Sequence, residues 1–225
     1  MARKKDKTLK KQKQAERQRA EKNKKIKNYA LGIVAIAIAG YLIYLWISWA
    51  TAPQYIPEAE GPSIGPEDAD VVFMEFGCFT CPFTQQFNLN TLPTLIDEYS
   101  DEVKFVYRNA PIYSNPGAEE LALAGLCADE QGEFWDYSER LFSTQGYDVD
   151  TLTNLAGNEG MDEEEFRSCL EEERYLDQVD EDYSEAREAR VGVTPTVFVN
   201  DVRVDGNQDL HIYQRLLDDK LEKHS

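Results

Sequence analysis

Residues 71–84 read Val-Val-Phe-Met-Glu-Phe-Gly-Cys-Phe-Thr-Cys-Pro-Phe-Thr, an apolar run that leads into a Cys-x-x-Cys pair and a proline. A nearly continuous apolar run predicts a strand buried on both faces of a sheet. The proline predicts the first position of a helix, where its missing N–H is not needed. A thiol at such a turn lies beside unpaired N–H groups and the positive end of the helix dipole, which lower its pKa. The stretch therefore predicts a thiol-disulfide redox site.

A second motif lies far downstream, where residues 191–200 read Val-Gly-Val-Thr-Pro-Thr-Val-Phe-Val-Asn. Here the chain resembles the thioredoxin superfamily, in which a Thr-Pro pair before a strand carries a cis proline that packs against the active-site cysteine. The intervening chain resembles the helical insertion of DsbA-like thiol-disulfide oxidoreductases, chiefly at residues 126–135, 141–142, 160–162 and 166–170. The resemblance covers residues 65–221. It implies a catalytic Pro195, substrate contacts from Thr194 and Pro195, and no cofactor.

The register of this resemblance decides which cysteine attacks. DsbA-like proteins have a buried acid six residues before the nucleophile and a Cys-Pro-aromatic-Cys motif. Counting six from Glu75 reaches Cys81, so residues 81–84 match the motif with Thr84 in place of its second cysteine. We therefore expect Cys81 to attack, Cys78 to resolve, and Thr84 to donate a hydrogen bond to the Cys81 sulfur. The conventional order, with Cys78 attacking, and a single-thiol site at Cys81 stay open.

Glu75 is the remaining candidate for the reaction. Its neighbours Met74 and Phe76 belong to the apolar run, so burial near the thiols is favoured over a position facing solvent. Burial raises the pKa of a carboxyl group, which can then pass protons during thiol exchange.

The other two cysteines, Cys127 and Cys169, lie on apolar faces of separate predicted helices. Two free core thiols are the plain alternative, whereas the resemblance implies a structural disulfide between them, as is common outside the cytoplasm. A zinc site is disfavoured because these two cysteines are 42 positions apart and neither His211 nor His224 lies near a cysteine. We expect no metal.

The N-terminal part of the chain predicts a membrane anchor. Its first 27 residues carry 13 Lys and Arg against three acids, and residues 28–57 carry no charge. Residues 29–50 suffice to cross a hydrocarbon core of about 30 Å. Their length and a terminal aromatic cluster favour an uncleaved anchor over a removable signal peptide or a buried core helix. The positive-inside rule places a basic arm, residues 1–28, in the cytoplasm against membrane lipid and the remainder outside.

The charge of the outer part is strongly negative. The whole chain has 24 Lys and Arg and 42 Asp and Glu, of which 13 basic and three acidic residues lie in the first 27 positions. The remainder therefore contains 11 basic and 39 acidic residues, a net charge of −28. Such a surface excludes nucleic acid as a partner, because that partner requires a basic footprint.

The outer part predicts one α/β domain. Residues 51–65, rich in proline and glycine, predict a linker, and residues 66–225 are enough for one core. Strands are expected at 71–76 and 103–107, a hairpin around Asn200-Asp201, and a closing helix at 210–221. Helices fill residues 117–190. The expected fold is a thioredoxin-like sheet with an all-helical insertion, preceded by one transmembrane helix.

These features lead to one preferred function and two alternatives. The preferred one is a membrane-anchored oxidase that accepts electrons from cysteines of exported proteins by dithiol-disulfide exchange. The resemblance further implies a membrane reoxidase as partner. A reductase or isomerase working in the other direction is the enzymatic alternative. A thioredoxin-fold binding or assembly factor without catalysis is the third.

Overall fold

A computed structural model describes residues 38–45 and 55–224. Residues 38–45 are helical and are labelled α1. Within the described ranges, no helix is both long and apolar enough to cross a lipid bilayer. The predicted basic arm, residues 1–28, lies outside the described residues. The predicted span, residues 29–50, also lies outside them except for α1. Residues Tyr55–Ser225 form a compact unit of their own.

The centre of this unit is a five-stranded sheet. Its strands are β1 (Ser63–Ile64), β2 (Val71–Gly77), β3 (Val103–Asn109), β4 (Thr196–Val199) and β5 (Val202–Asp205). Their spatial order is β1-β3-β2-β4-β5, with β2 and β3 parallel and the other neighbours antiparallel. Because β2 lies in the middle with both faces covered, its sequence is apolar at successive positions rather than at alternate ones.

The edges of the sheet show one difference from expectation and one agreement. The predicted linker extends to residue 65, yet Ser63 and Ile64 pair with β3 at the outer edge of the sheet. The predicted hairpin is confirmed, with Asn200 in a left-handed conformation at φ 51°. The Asn200 side-chain oxygen also accepts a hydrogen bond from the Val72 N–H at 2.7 Å, which ties the hairpin to β2.

Helices cover the sheet and form the insertion. Helices α2 (Pro82–Asn90), α3 (Leu92–Tyr99) and α9 (Leu210–His224) pack on the sheet. The insertion contains α4 (Ala118–Glu130), α5 (Phe134–Ser143), α6 (Val149–Asn158), α7 (Glu163–Glu171) and α8 (Leu176–Glu188). The predicted all-helical insertion is therefore confirmed. At the start of α7 the Asp162 carboxylate accepts hydrogen bonds from the N–H groups of Glu164 and Glu165, both at 3.0 Å.

Two hydrophobic cores meet beneath the end of β2. One joins the sheet to α2, α3 and α9 and contains Phe73 and Tyr213. The other fills the insertion and contains Tyr137. Tyr107 lies on β3 but belongs to the insertion core, where its ring is 5.3 Å from that of Phe134. The sheet and the insertion are thus packed together at the point where the cysteines follow.

A buried ion pair fixes α8 against the end of β3. Arg108 Nε donates to Asp182 Oδ1 at 2.6 Å, and both side chains are nearly fully buried. The second oxygen of that carboxylate accepts the Asn109 N–H at 2.9 Å. Breaking such a pair from one side costs about 3–5 kcal/mol, because a buried charge is left alone. This pair fixes the middle of α8 against the end of β3.

Candidate active site

The Cys-x-x-Cys segment forms the turn between β2 and α2. The Cys81 N–H donates to the Cys78 carbonyl at 3.0 Å, and the Cys81 carbonyl accepts the first helical hydrogen bond, from Gln85 at 2.9 Å. Cys81 is the N-cap of α2 with an extended backbone, and Pro82 takes the first helical position. The predicted helix start is confirmed. The Cys81 side chain therefore lies at the N-terminus of α2 but accepts no hydrogen bond from the N–H groups of its first turn.

Gly77 and two aromatic rings hold this turn in place. A Cβ atom on Gly77 would lie 2.5 Å from the Tyr107 ring, so only glycine lets the ring pack there. Phe79, between the cysteines, packs on Tyr107 with ring centroids 5.3 Å apart and on Phe142 at 4.7 Å. The turn is thereby anchored in the insertion core, and its backbone is rigidly supported.

The Cys78 sulfur has a polar partner that sequence reasoning missed. Its Sγ is 3.2 Å from the Thr80 hydroxyl oxygen, and Asn115 Nδ2 donates to the same oxygen at 3.2 Å. An ionised sulfur only accepts hydrogen bonds, so the Thr80 hydroxyl must donate to a Cys78 thiolate. The position of Thr80 between the cysteines was a signal for this role. Nothing in the sequence pointed to Asn115.

The two thiols titrate as a pair. The Cys81 thiol donates a hydrogen bond to the Cys78 sulfur and lowers the pKa of Cys78 to about 6; burial opposes this shift, and bonds from Thr80 and the Ile112 backbone add to it. The same bond to Cys78, together with burial, raises the pKa of Cys81. The first proton therefore leaves near neutral pH, whereas the second is retained because two adjacent buried thiolates would repel each other.

The loop before β4 reaches the second sulfur. The Thr194–Pro195 peptide bond is cis. The bond to Cys78 and burial raise the pKa of Cys81, and a hydrogen bond from the Thr194 side chain lowers it by a smaller amount. Pro195 is buried, and its carbonyl accepts the Gly206 N–H at 2.8 Å. The fold thus brings Thr194 to the cysteines across more than a hundred residues of chain.

Glu75 is buried, as predicted, with 1% of its surface exposed. Asn88 Nδ2 donates to Oε1 at 2.8 Å, and Oε2 has no hydrogen-bond partner within the described part of the chain. Burial raises the pKa of Glu75 to about 8, while the bond from Asn88 opposes the shift. The carboxyl group is therefore mostly protonated at neutral pH and can exchange a proton.

Tyr107 is buried near both this carboxyl group and the thiols, but its hydroxyl oxygen has no hydrogen-bond partner in residues 38–45 and 55–224. It lies opposite Glu75 in the pairing of β2 with β3. Burial raises the pKa of Tyr107 most, and negative charge on Glu75, Cys78 and Cys81 raises it further. The acid and both thiols are thus arranged around one buried phenol.

Thr84 does not take the expected part. The prediction was a hydrogen bond from its hydroxyl to the Cys81 sulfur, but the hydroxyl oxygen has no partner among residues 38–45 and 55–224. Thr84 lies at the third position of α2 and is fully buried, one helical turn before Asn88, whose amide donates to its carbonyl oxygen at 3.1 Å. The Thr84 side chain is thus fully buried in the first turn of α2, and its hydroxyl does not bond to the Cys81 sulfur.

The remaining two cysteines are joined to each other. Cys127 on α4 and Cys169 on α7 form a disulfide with Cα atoms 5.9 Å apart. Each is 1% exposed in the insertion core. They are therefore unavailable as metal ligands alongside Cys78 and Cys81, and no group of three or more His, Cys, Asp or Glu side chains in the described ranges is arranged to hold a metal.

Comparison with known proteins identifies the family. A sequence profile described as thioredoxin matches residues 58–219. The chain belongs to the thioredoxin family. It is 30% identical over 160 residues to disulfide bond formation protein D of Bacillus subtilis strain 168, a match that covers 64% of this chain and 70% of the relative.

Solved structures share the fold of this thioredoxin-family protein. The oxidised crystal structure of BdbD from Bacillus subtilis matches with a TM-score of 0.66 and 26% identity over 72% of this chain and 93% of that one. DsbA of Chlamydia trachomatis matches with a TM-score of 0.67 at 16% identity over 76% of this chain and 96% of that one, a likeness of fold. The protein is a DsbA-like thiol-disulfide oxidoreductase with a thioredoxin-like fold and a helical insertion.

Proposed function

We propose that this oxidoreductase is membrane-anchored and forms disulfide bonds in exported proteins. The anchor is the uncharged segment 29–50, and the basic arm before it supports a cytoplasmic N-terminus with the catalytic domain outside. The name of the relative in Bacillus subtilis, disulfide bond formation protein D, supports the oxidising direction. Its partners are exported proteins with free cysteines, membrane lipid around the anchor and a membrane reoxidase.

One observation carries the assignment of Cys81 as the sulfur that bonds to substrate. Cys81 is the N-cap of α2, and Thr194 of the cis-proline loop bonds to it. The positive end of the helix dipole favours negative charge on the Cys81 sulfur, whereas in the reduced pair the bond to Cys78 and burial raise the pKa of Cys81. Cys81 is also the more exposed of the two thiols, at 6% against 2% for Cys78.

The reaction then follows from disulfide exchange. In the oxidised protein Cys78 and Cys81 are joined. A substrate thiolate attacks the Cys81 sulfur; a bond forms between them, the Cys78–Cys81 bond breaks, and Cys78 leaves as a thiolate. A second substrate thiolate attacks the substrate sulfur of the mixed disulfide and releases Cys81. The substrate loses two electrons and two protons, and the Cys78–Cys81 pair gains them.

The low pKa of Cys78 suits this role as leaving group. A thiolate leaves faster when its pKa is low. The largest contribution to the low pKa in the reduced pair, the bond from the Cys81 thiol, is absent while Cys81 is bonded to substrate, whereas the bonds from Thr80 and the Ile112 backbone still lower the pKa of Cys78. Stabilising the reduced pair also makes its disulfide a stronger oxidant. We assign Glu75, which is protonated at neutral pH and has no hydrogen-bond partner at Oε2 in the described residues, as the group that exchanges the proton of the pair.

Trapping experiments test the assignment of the two sulfurs. Offered a disulfide-bonded substrate peptide, reduced Cys78→Ser should form a stable mixed disulfide in which Cys81 bonds to one substrate sulfur and the other leaves as a thiolate, because no neighbouring thiol of the protein remains to release it. Cys81→Ser should give no trapped species on non-reducing gels, and the double variant serves as the blank. Hydrogen bonds that converge on Cys78 favour the opposite order. Trapping by Cys81→Ser alone would establish that order instead.

A further inference from the structure

A cleft beside the cysteines differs in charge from the rest of the domain. It has a volume of about 360 Å³ and lies between the loop after β3, the end of α8 and the loop before β4. Two of its lining residues touch the reactive sulfurs, Ile112 through its backbone to Cys78 and Thr194 through its side chain to Cys81. A substrate whose cysteine reaches the pair can therefore place flanking residues in this cleft; a second cleft, lined by Phe79, Thr80 and Pro82, adjoins the pair on the insertion side.

The lining of this cleft, called here the Arg187 cleft, contains no acidic residue and one basic residue, Arg187. That lining contrasts with the 39 acidic residues of the outer part of the chain. It also contrasts with the polar cleft on the far side of α8, which Asp177, Glu181 and Glu185 line. A substrate carboxylate therefore meets a cation and no carboxylate in the lining of this cleft, on a domain that is strongly acidic as a whole.

The walls of the Arg187 cleft suit an apolar side chain. The rings of Tyr113 and Tyr183 pack edge to face with centroids 4.9 Å apart, and the Tyr113 hydroxyl donates to Asp180 at 2.8 Å. Val193, directly before Thr194, is 51% exposed. Fixed aromatic rings and an exposed valine next to the sulfurs provide apolar contact without requiring reorganisation on binding.

Arg187 lies in the last turn of α8 and is exposed. A cation at this position also stabilises the helix through its dipole, a role that needs no substrate. Its guanidinium makes no ion pair with a carboxylate in residues 55–224, unlike Arg108, Arg140, Arg167, Arg174 and Arg203. The group is therefore available to a carboxylate from outside.

We propose that Arg187 selects substrates that carry a carboxylate close to the reactive cysteine, with an apolar side chain of the same segment in the Arg187 cleft. This inference rests on the proposed oxidation of protein thiols. In an extended chain alternate side chains point the same way, so a carboxylate two residues from the cysteine lies on the same side of the substrate chain as the reacting sulfur. Arginine recognises it through two parallel N–H donors.

Two otherwise identical dithiol peptides test the selection, one with Glu and one with Gln two residues from the reactive cysteine. The disulfide form of the full-length protein should oxidise the Glu peptide with about threefold higher kcat/KM at low salt, the effect of one exposed ion pair, mainly through KM. Arg187→Gln should abolish the preference, and Arg187→Glu should reverse it. About 1 M salt should reduce it strongly, because screening shortens the Debye length to about 3 Å.

The matched control is Arg215→Glu, which makes the same charge change on α9 outside the Arg187 cleft. It should keep the preference for the Glu peptide and the activity of the parent protein. Equal rates for the two peptides at low salt, or a preference that survives Arg187→Gln, would overturn the selection while leaving the oxidase function intact. Failure of the parent protein to oxidise either peptide or dithiothreitol would instead refute the proposed function on which the selection rests.

Discussion

Replacing Thr80 with valine tests the origin of the acidity of the thiol pair. Valine keeps the branched shape of threonine but lacks the hydroxyl that stabilises a Cys78 thiolate. In the structure that hydroxyl is 3.2 Å from the Cys78 sulfur, and Asn115 donates to its oxygen. We expect the variant to fold with an unchanged Cys78–Cys81 turn and a less acidic pair.

The size of the change follows from the hydrogen bond. A bond to a charged group contributes about 1.5 kcal/mol, or roughly one pKa unit. The first ionisation of the pair, now at a pKa of about 6, should rise accordingly. The thiolate fraction at neutral pH should then fall from about nine-tenths to about half. At pH 7, where the pair is only partly ionised, this rise in pKa destabilises the reduced pair by about 1 kcal/mol. The reduction potential should therefore become about 20 mV more negative.

Two measurements check these values. Ultraviolet absorbance of the thiolate against pH gives the first ionisation, and redox equilibrium with glutathione gives the potential. Thr80→Ser keeps the hydroxyl and should titrate like the parent protein. Asn115→Ala should also raise the pKa of the first ionisation, but by less than Thr80→Val does. An unchanged titration in Thr80→Val, or an equal shift in Thr80→Ser, would show that the hydroxyl does not stabilise the thiolate.

Three further predictions concern stability and topology. Glu75 is protonated in the folded protein up to pH about 8 but ionised in the unfolded chain above about 4.5. Between these values the free energy of unfolding should fall as the pH rises, by up to about 1.4 kcal/mol per pH unit. In urea unfolding Glu75→Gln should remove this slope; an unaltered slope would contradict the buried-acid assignment. Replacing both Cys127 and Cys169 with alanine should lower the free energy of unfolding by about 4 kcal/mol for a loop of this length, and peptide mapping without reductant should recover the two linked; recovery as free thiols would rule the bond out. In intact cells an external protease should remove the acidic domain and spare the basic arm, and digestion of the arm with protection of the domain would reverse the proposed topology.

The sequence alone determined the elements whose signals are local. Successive apolar residues in 71–76 predicted β2, Pro82 predicted the start of α2, and Asn200-Asp201 predicted the hairpin; all three are found. The identity of the family was equally readable, because the Cys-x-x-Cys pair and the Thr-Pro pair are short motifs. The burial of Glu75 followed from its neighbours in the apolar run. Each of these depends on backbone preference or hydrophobic pattern within a few residues.

Only the tertiary structure decided which distant residues form hydrogen bonds at the site. The Asn115–Thr80–Cys78 chain of hydrogen bonds joins two loops 35 residues apart, and Thr194 reaches Cys81 from the other side of the insertion. Sequence counting misplaced the Thr84 hydroxyl because side-chain direction within α2 depends on how the helix packs on the sheet. The Arg187 cleft likewise exists only where three distant segments meet. Such contacts carry no local signal, since side-chain packing brings them together rather than the conformation of any single segment.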